Sequence, residues 1–285
     1  MKEISIIGHG RVGGSLASAL RSAGFDVKRI VVRDGSPLDP VSREDGISLI
    51  RWSDWPKLDS DLVIIATGDS NISEADLSLS KIDGIGNASV LHTSGLHSSA
   101  MLERTHEAGA SVGSMHPLAS FPDSAGGTNR FLGVSFCLEG DPKAVKAAEE
   151  LVAGLGGESF TVESDYKALY HASAVMACGN LVALISESVR MMSLCGVDEQ
   201  ESLRRLEPLI RGTIENIFRL GITSSLTGPF ARLDESAVDL DIRAVESVGD
   251  ENLNDLFKLL GEVSIKLSVS SEEGAGKAKR IIQKM

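Results

Sequence analysis

The sequence predicts a doubly wound α/β domain with a mostly parallel sheet over residues 1–163, followed by an all-helical domain over 164–285. Three observations lead there. A glycine-rich turn follows a short apolar strand almost at the first residue, strand and helix signals alternate as far as residue 162, and beyond Ser164 nearly every segment is helical. Alternation of this kind builds βαβ units, because each crossover lays its helix on a face of a parallel sheet.

The first unit reads in order. Residues 4–7 are apolar, Gly8-His9-Gly10-Arg11-Val12-Gly13 is G-x-G-x-x-G, and Val12, Leu16, Ala19, Leu20 and Ala23 follow with helical spacing. The first glycine makes the tight turn, the second lets the backbone approach a pyrophosphate, and the third lets helix and strand pack closely. In this strand–turn–helix setting the pattern is a dinucleotide-binding signal of Rossmann type; the bland alternative is a glycine-rich turn without a ligand. Residues 27–32 form the second strand. At its tip, where an acidic residue takes the ribose diol in NAD enzymes, stands Arg33, whose guanidinium suits a 2′-phosphate, with Ser36 as a further donor. This favours NADP(H) over NAD(H), although Asp34 would reverse the choice if the strand ended one residue later.

Further strands are expected at 61–67, 88–94, 110–115 (closed by His116-Pro117), 134–138 and 159–162, the last two flanking a helix over 142–155. That helix gathers Val145, Ala148, Leu151, Val152 and Leu155 on one face. Ser164-Asp165 reads as the N-cap of one long helix to residue 194. It is apolar round most of its girth, so it is expected buried in the domain centre or in a subunit interface. Helices over 198–220, 229–248 and 251–268 follow, then a surface helix over 272–285. Close packing of the halves with a cleft between them is expected, since no Pro/Gly-rich linker separates them.

Composition narrows the function. A hydrophobic content of 42% and a charged content of 24% are those of a globular protein. Net charge is −12 without a Lys/Arg cluster, and aromatics make up 4%, which argues against nucleic-acid partners. No leader pattern opens the sequence and no apolar run reads as long enough to span a bilayer, so no membrane partner and a cytoplasmic protein are expected. Cys137, Cys178 and Cys195 lack C-x-x-C spacing, which argues against a disulfide scaffold or zinc site; they are expected to be small buried residues.

Ligands in an open α/β sheet sit outside the carboxyl ends of its strands. There the sequence places Thr67 and Asp69; His92, Thr93, Ser94 and His97; and His116, Ser120 and Asp123. Three of the six histidines in two such segments suit a metal site, proton transfer or turn chemistry. No H-x-x-x-H or H-x-x-x-D pair supports a metal, and none is expected. Reduction of a carbonyl or imine needs an acid beside the hydride acceptor, which makes His92 or His116 a candidate; the alternative is a hydrogen-bonded turn residue. In the helical half Lys167 and His171 share a face, and Asn180 lies nine residues beyond His171. His171 and Asn180 either serve a substrate or brace the helix. Thr227 reads as an N-cap with Pro229 in the first turn, leaving N–H groups that, with Arg232, suit a substrate carboxylate; plain capping is the alternative.

His92-Thr93-Ser94-Gly95, His116-Pro117-Leu118 with Ser120-Phe121, Leu169-Tyr170-His171-Ala172 with Asn180, and Leu226-Thr227-Gly228-Pro229 with Arg232 occur in that order across essentially the whole chain. In this they resemble the Rossmann-like NADP oxidoreductases with an all-helical C-terminal domain of unknown function. That family is in turn similar to 6-phosphogluconate dehydrogenase-like, pyrroline-5-carboxylate reductase-like and prephenate dehydrogenase-like enzymes. The resemblance implies an all-α 6-phosphogluconate dehydrogenase C-terminal-like domain, a substrate in the interdomain cleft, and homodimers through the helical domains. Hydroxyacid members use a Lys and an Asn one turn apart on the central helix; here the corresponding place reads as His171, with Asn180 later. Leu233 stands where a glycine is expected before Asp234.

Residues and resemblance together give catalytic candidates His171, Asn180 and His116. Cofactor contacts are Gly8, His9, Gly10, Arg11, Val12, Gly13, Arg33, Thr67, Asp69, Thr93 and Ser94, and substrate contacts are His92, Ser120, Tyr170, Thr227 and Arg232. The expected activity is NADP(H)-dependent hydride transfer to a small carboxylate-bearing carbonyl or imine, with a ketopantoate-like 2-oxo acid as the candidate that the resemblance implies. The alternatives are a non-catalytic NADP(H)-binding regulator and a deazaflavin-dependent NADP reductase.

Overall fold

The computed structural model describes residues 3–36, 47–55, 57–121, 130–269 and 272–283; Asp123, one of the expected strand-end residues, lies outside them. The chain divides into two compact units, Met1–Asn180 and Leu181–Met285. The sheet is complete by residue 161. The first unit nevertheless runs on to Asn180, because the next helix is tied to the sheet through Lys167 and Tyr170.

The first unit comprises β1 (Glu3–Ile7), α1 (Arg11–Ser22), β2 (Asp26–Val32), β3 (Ser48–Arg51), β4 (Leu62–Ile65), α2 (Ile72–Leu79) and β5 (Ser89–His92), then α3 (Glu103–Glu107), β6 (Ser111–Pro117), β7 (Ser135–Gly140), α4 (Pro142–Gly154), β8 (Glu158–Thr161) and α5 (Lys167–Ala177). The eight strands lie in the order β3-β2-β1-β4-β5-β6-β7-β8, parallel except where β7 runs against β6. Side chains alternate between the faces of this sheet with period two. Thus Ile4, Ile6, Leu62 and Ile64 pack with Leu16, Leu20 and Leu151 on one side, whereas Ile7, Val63 and Ile65 pack with Ile72, Leu79 and Leu102 on the other. Each fully buried side chain of this size contributes about 1.5–3 kcal/mol. Two covered faces explain why β4 is an unbroken apolar run.

The chain order reverses between β1 and β4, which opens a crevice above their carboxyl ends. Gly8 makes the turn there at φ 104°. A Cβ at Gly13 would stand 2.1 Å from the Gly8 carbonyl oxygen, so α1 reaches its seat only because residue 13 has no side chain.

The second unit is helical: most of α6 (Gly179–Leu194), then α7 (Glu199–Leu220), α8 (Ile222–Ser225), α9 (Gly228–Arg232), α10 (Glu235–Glu246), α11 (Glu251–Ser268) and α12 (Glu272–Ile282). Asp198, Asp234 and Asp250 cap α7, α10 and α11 by accepting first-turn N–H bonds, worth about 1 kcal/mol each. A small core of Val238, Ile242, Ile265, Ala278 and Ile281 holds it together.

Several expectations need correction. β3 was not expected; it is a short edge strand of mixed composition without an apolar run. Ser164-Asp165 opens a single 3₁₀ turn rather than capping the helix, which starts at Lys167, and the Ser164 hydroxyl donates to Glu139 instead. The long helix is interrupted at Cys178, ahead of Gly179, and its residues are largely exposed within the chain. The stretch Ser164–Leu194 has a mean hydropathy of 1.6 over its most apolar window, so one run does meet the length and composition of a membrane span. The expected helix over 229–248 divides at Leu233, the one non-glycine at positive φ (51°) among the described residues, where the resemblance calls for glycine. Holding a leucine there costs about 1–2 kcal/mol. Of the three cysteines Cys137 is buried, whereas Cys178 and Cys195 are exposed.

Candidate functional site

Above the carboxyl ends of β1, β4, β5 and β6 lies a cavity of about 320 Å³ within the first unit. Of the expected site residues it brings together Gly10, Arg11, Val12, Thr67, Asp69, Thr93, Ser94, His116 and His171. Three features fit a dinucleotide. Among the described residues nothing stands where a Gly10 side chain would project, and α1 begins immediately after it with no acidic residue in its first turn. The leading N–H groups of a helix lack acceptors within it and carry the positive end of its dipole, as an anion requires. The Thr67 hydroxyl at the rim is a buried polar atom without a hydrogen-bond partner among the described residues.

The remaining cofactor candidates are placed around this cradle. Gly8 and Gly13 shape the turn through their mutual contact, and His9 is exposed beside them. Arg33 is the first residue beyond β2 and is exposed. Asp34 is committed elsewhere: its carboxylate accepts the Ser53 N–H at 3.1 Å.

His92 is fully buried and outside the cavity lining. Its Nδ1 accepts the Ser94 N–H at 3.2 Å, so the proton sits on Nε2, 3.0 Å from the Ser98 carbonyl oxygen. This ring braces the turn after β5 rather than facing a substrate. Ser94 is equally committed, its hydroxyl oxygen accepting from Leu96 N and His97 N. Its own O–H is what it has left for a ligand.

His116, next to the end of β6, faces the cavity, and its Nδ1 is 2.7 Å from the Tyr170 hydroxyl. Tyr170 therefore stands behind the imidazole and is not a cavity residue. Burial, then the charges of Lys167 and His171, push His116 down to about 4; burial also pushes His92 down to about 4 and raises the Tyr170 phenol. Both histidines are thus uncharged at neutral pH.

Asn180 lies beyond the interruption at Cys178, outside the cavity lining, with its Nδ2 3.0 Å from Met176 Sδ. The interruption resets the helical phase between His171 and Asn180. Ser120 is exposed beyond β6 and outside the lining. Thr227 and Arg232 belong to the second unit, where Thr227 occupies the N-cap of α9 without a side-chain cap bond.

Gly95 and Phe121, which have no role among the sequence candidates, also line the cavity, and Lys167 is a further unforeseen neighbour. Lys167 is 1% exposed, with its Nζ 2.8 Å from Ser114 Oγ and 3.4 Å from the Ser94 carbonyl oxygen. A lysine one turn before His171 in an apolar helix was the available signal, because a buried charge needs partners.

Residues 134–263 match the family model described as a domain of unknown function, DUF2520. No curated protein matches the chain. Among solved structures it is similar to protein TM1727 from Thermotoga maritima, at 24% identity over 93% of this chain and 98% of that one, TM-score 0.72. BF3122 from Bacteroides fragilis, a proposed NADP oxidoreductase, is similar at 19% identity over 92% and 97%, TM-score 0.71. A pyrroline-5-carboxylate reductase from Coxiella burnetii follows at 17% identity over 98% of both chains, TM-score 0.60. Likeness at these identities speaks for the fold.

The uncharged histidines give stability a pH dependence. Their folded affinity for protons lies below that of an unfolded imidazole, so the unfolded chain binds more protons between about pH 6.5 and pH 4. Their contribution is complete above pH 6.5 and falls as the pH drops through that window. Urea midpoints measured from pH 7.5 to 4.5 are expected to decline on acidification, with a shallower decline in His92→Asn. The stretch similar to DUF2520 thus begins within the sheet, just ahead of β7, and the sheet as a whole has Rossmann topology.

Proposed function

We propose that the protein is an NADP(H)-dependent oxidoreductase that transfers hydride to a small carboxylate-bearing carbonyl or imine. The observation that carries this reading is the cradle: Gly10 open on its side-chain side, the start of α1 behind it, and the unpartnered Thr67 hydroxyl at its rim. The N–H groups of Arg11, Val12 and Gly13 would hold the pyrophosphate, and Thr67, Asp69 and Thr93 would border the nicotinamide ribose. Bound there, the coenzyme supplies or accepts hydride at its nicotinamide ring.

Arg33 supports NADP(H) over NAD(H), because the neighbouring Asp34 carboxylate is turned to Ser53 and leaves the guanidinium facing solvent beyond β2. In calorimetric titrations NADPH is expected to bind more tightly than NADH. Arg33→Ala should lower NADPH affinity by roughly 10- to 100-fold, the worth of a charge-assisted phosphate contact, and leave NADH nearly unchanged. Equal losses for both coenzymes would remove the 2′-phosphate assignment.

His171 lines the cavity and is proposed as the proton donor, whereas His116 acts as an uncharged hydrogen-bond donor. In a screen of 2-oxo acids and cyclic imines, His171→Ala should slow NADPH oxidation by roughly 10²- to 10⁴-fold, as expected for loss of an acid–base group. Binding of NADPH without turnover of any of these would favour a regulatory protein. Hydride exchange with a deazaflavin instead would favour the other reductase class.

A second copy of the chain is proposed as the cover of Ser164–Leu194, where Leu169, Met176 and Val182 are each about two-thirds exposed. The purified protein, expected in the cytoplasm, should sediment as a dimer, and Val182→Glu should shift it towards monomer. A wild-type monomer at micromolar concentration would rule this out.

A further inference from the structure

One buried amine has no part in the proposed hydride transfer. Lys167 is 1% exposed and has two neutral hydrogen-bond acceptors, the Ser114 hydroxyl and the Ser94 carbonyl. Burying an amine among neutral acceptors is costly, because their hydrogen bonds replace only part of its lost hydration.

We propose that Lys167 is a positioning residue for His116: its amine ties the turn under the imidazole to the strand that carries the imidazole. The inference rests on the cavity being the reaction site. Ser114 and His116 are two residues apart on β6 and so point to the same face. Ser94 immediately precedes Gly95, and a Cβ at Gly95 would come within 2.7 Å of His116 Cε1 and Nε2. The ring therefore rests on the bare backbone of Gly95. Lys167 Nζ bonds the residue beside each of these contacts, Ser114 on the strand and Ser94 on the turn. It also lies 5.6 Å from the centre of the Tyr170 ring, whose hydroxyl meets His116 Nδ1. One amine thus anchors the strand, the turn and the phenol that together fix the imidazole.

The same placement governs protonation. Around His116 stand Lys167, Tyr170 and His171 from α5, Asp69 after β4, His92 from β5, and Cys137 from β7, its partner in register. Asp69 favours a charged imidazole, whereas Lys167, His171 and His92 oppose it. Burial lowers the proton affinity of Lys167, and Glu139 and Cys137 work against that loss. An ammonium held here makes a second positive charge on His116 unfavourable, so the ring stays a neutral hydrogen-bond donor.

The test is a histidine NMR titration of the full-length protein from pH 4.5 to 8, comparing wild type, Lys167→Met and Ser114→Ala. In wild type His116 should remain neutral down to about pH 5. Lys167→Met should raise its midpoint by one unit or more, a tenfold or larger gain in protonation at a given pH, and loosen its bond to Tyr170. Ser114→Ala removes the 2.8 Å anchor with little disturbance of packing and should move the midpoint the same way by less. A midpoint identical in all three proteins overturns the proposal. If Lys167→Met does not fold, an unshifted Ser114→Ala overturns it alone. The titration needs neither coenzyme nor substrate, so its failure is distinguishable from failure of the NADP(H) reading.

Discussion

The contact between Gly13 and the Gly8 carbonyl is the constraint on which the site depends. With 2.1 Å between that oxygen and the place a Cβ would occupy, only hydrogen at residue 13 lets α1 start directly over the β1 turn. From this seat the exposed N–H groups of the helix look across the crevice made by the reversal of strand order between β1 and β4. Gly8 is held as tightly, since its own Cβ would stand 2.7 Å from the Ala66 carbonyl oxygen. Strand, turn and helix are thereby locked before any ligand arrives, so the ordering cost of an anion site falls on folding rather than binding.

Behind the cradle the protein spends polar groups on rigidity. The turn after β5 is held by the ring of His92, by the Ser94 hydroxyl and by Lys167, while Glu139 secures the next residues through Ser99 N at 2.7 Å and Ser99 Oγ at 2.9 Å. In a low-dielectric interior, satisfied networks of this kind fix one arrangement, whereas unsatisfied members would be costly. Neutral histidines follow from the same burial. Residues that look like acids and bases in the sequence therefore divide into a brace, His92, and two groups that reach the cavity, His116 and His171.

Legibility followed the reach of the forces involved. The glycine turn, the strand series and the ends of α4 and α11 could be read because each is set by local sterics and periodicity. Position 33 was also readable, as the first residue past β2. What escaped depended on distant partners. β3 is an edge strand with few apolar residues, the Leu233 kink needs a conformation leucine rarely adopts, and the role of Lys167 depends on Ser94 and Ser114, far away in sequence. His92 leaves proton transfer and turn bonding open in the sequence, and its two ring bonds, to backbone atoms of the turn, decide for the second.

The apolar stretch Ser164–Leu194 poses the opposite problem, a surface in want of a cover. Lipid is a poor candidate. The 31-residue stretch has the length of a span only if α5 and α6 act as one rod; broken from α5 at Cys178, α6 alone is about 24 Å long at 1.5 Å per residue, short of a hydrocarbon core about 30 Å thick. Arg190 on that helix pairs with Glu187 at 2.7 Å and with Asp250 at 2.9 Å, an arrangement suited to an aqueous rim. The second unit has only a small core and leaves Phe218 86% exposed on α7. Exposed apolar side chains in such numbers mark an interaction face. The proposed second copy would add the burial that the small helical core lacks, so stability of the helical unit should be coupled to protein concentration, as mass action requires for any partner that binds the folded state alone.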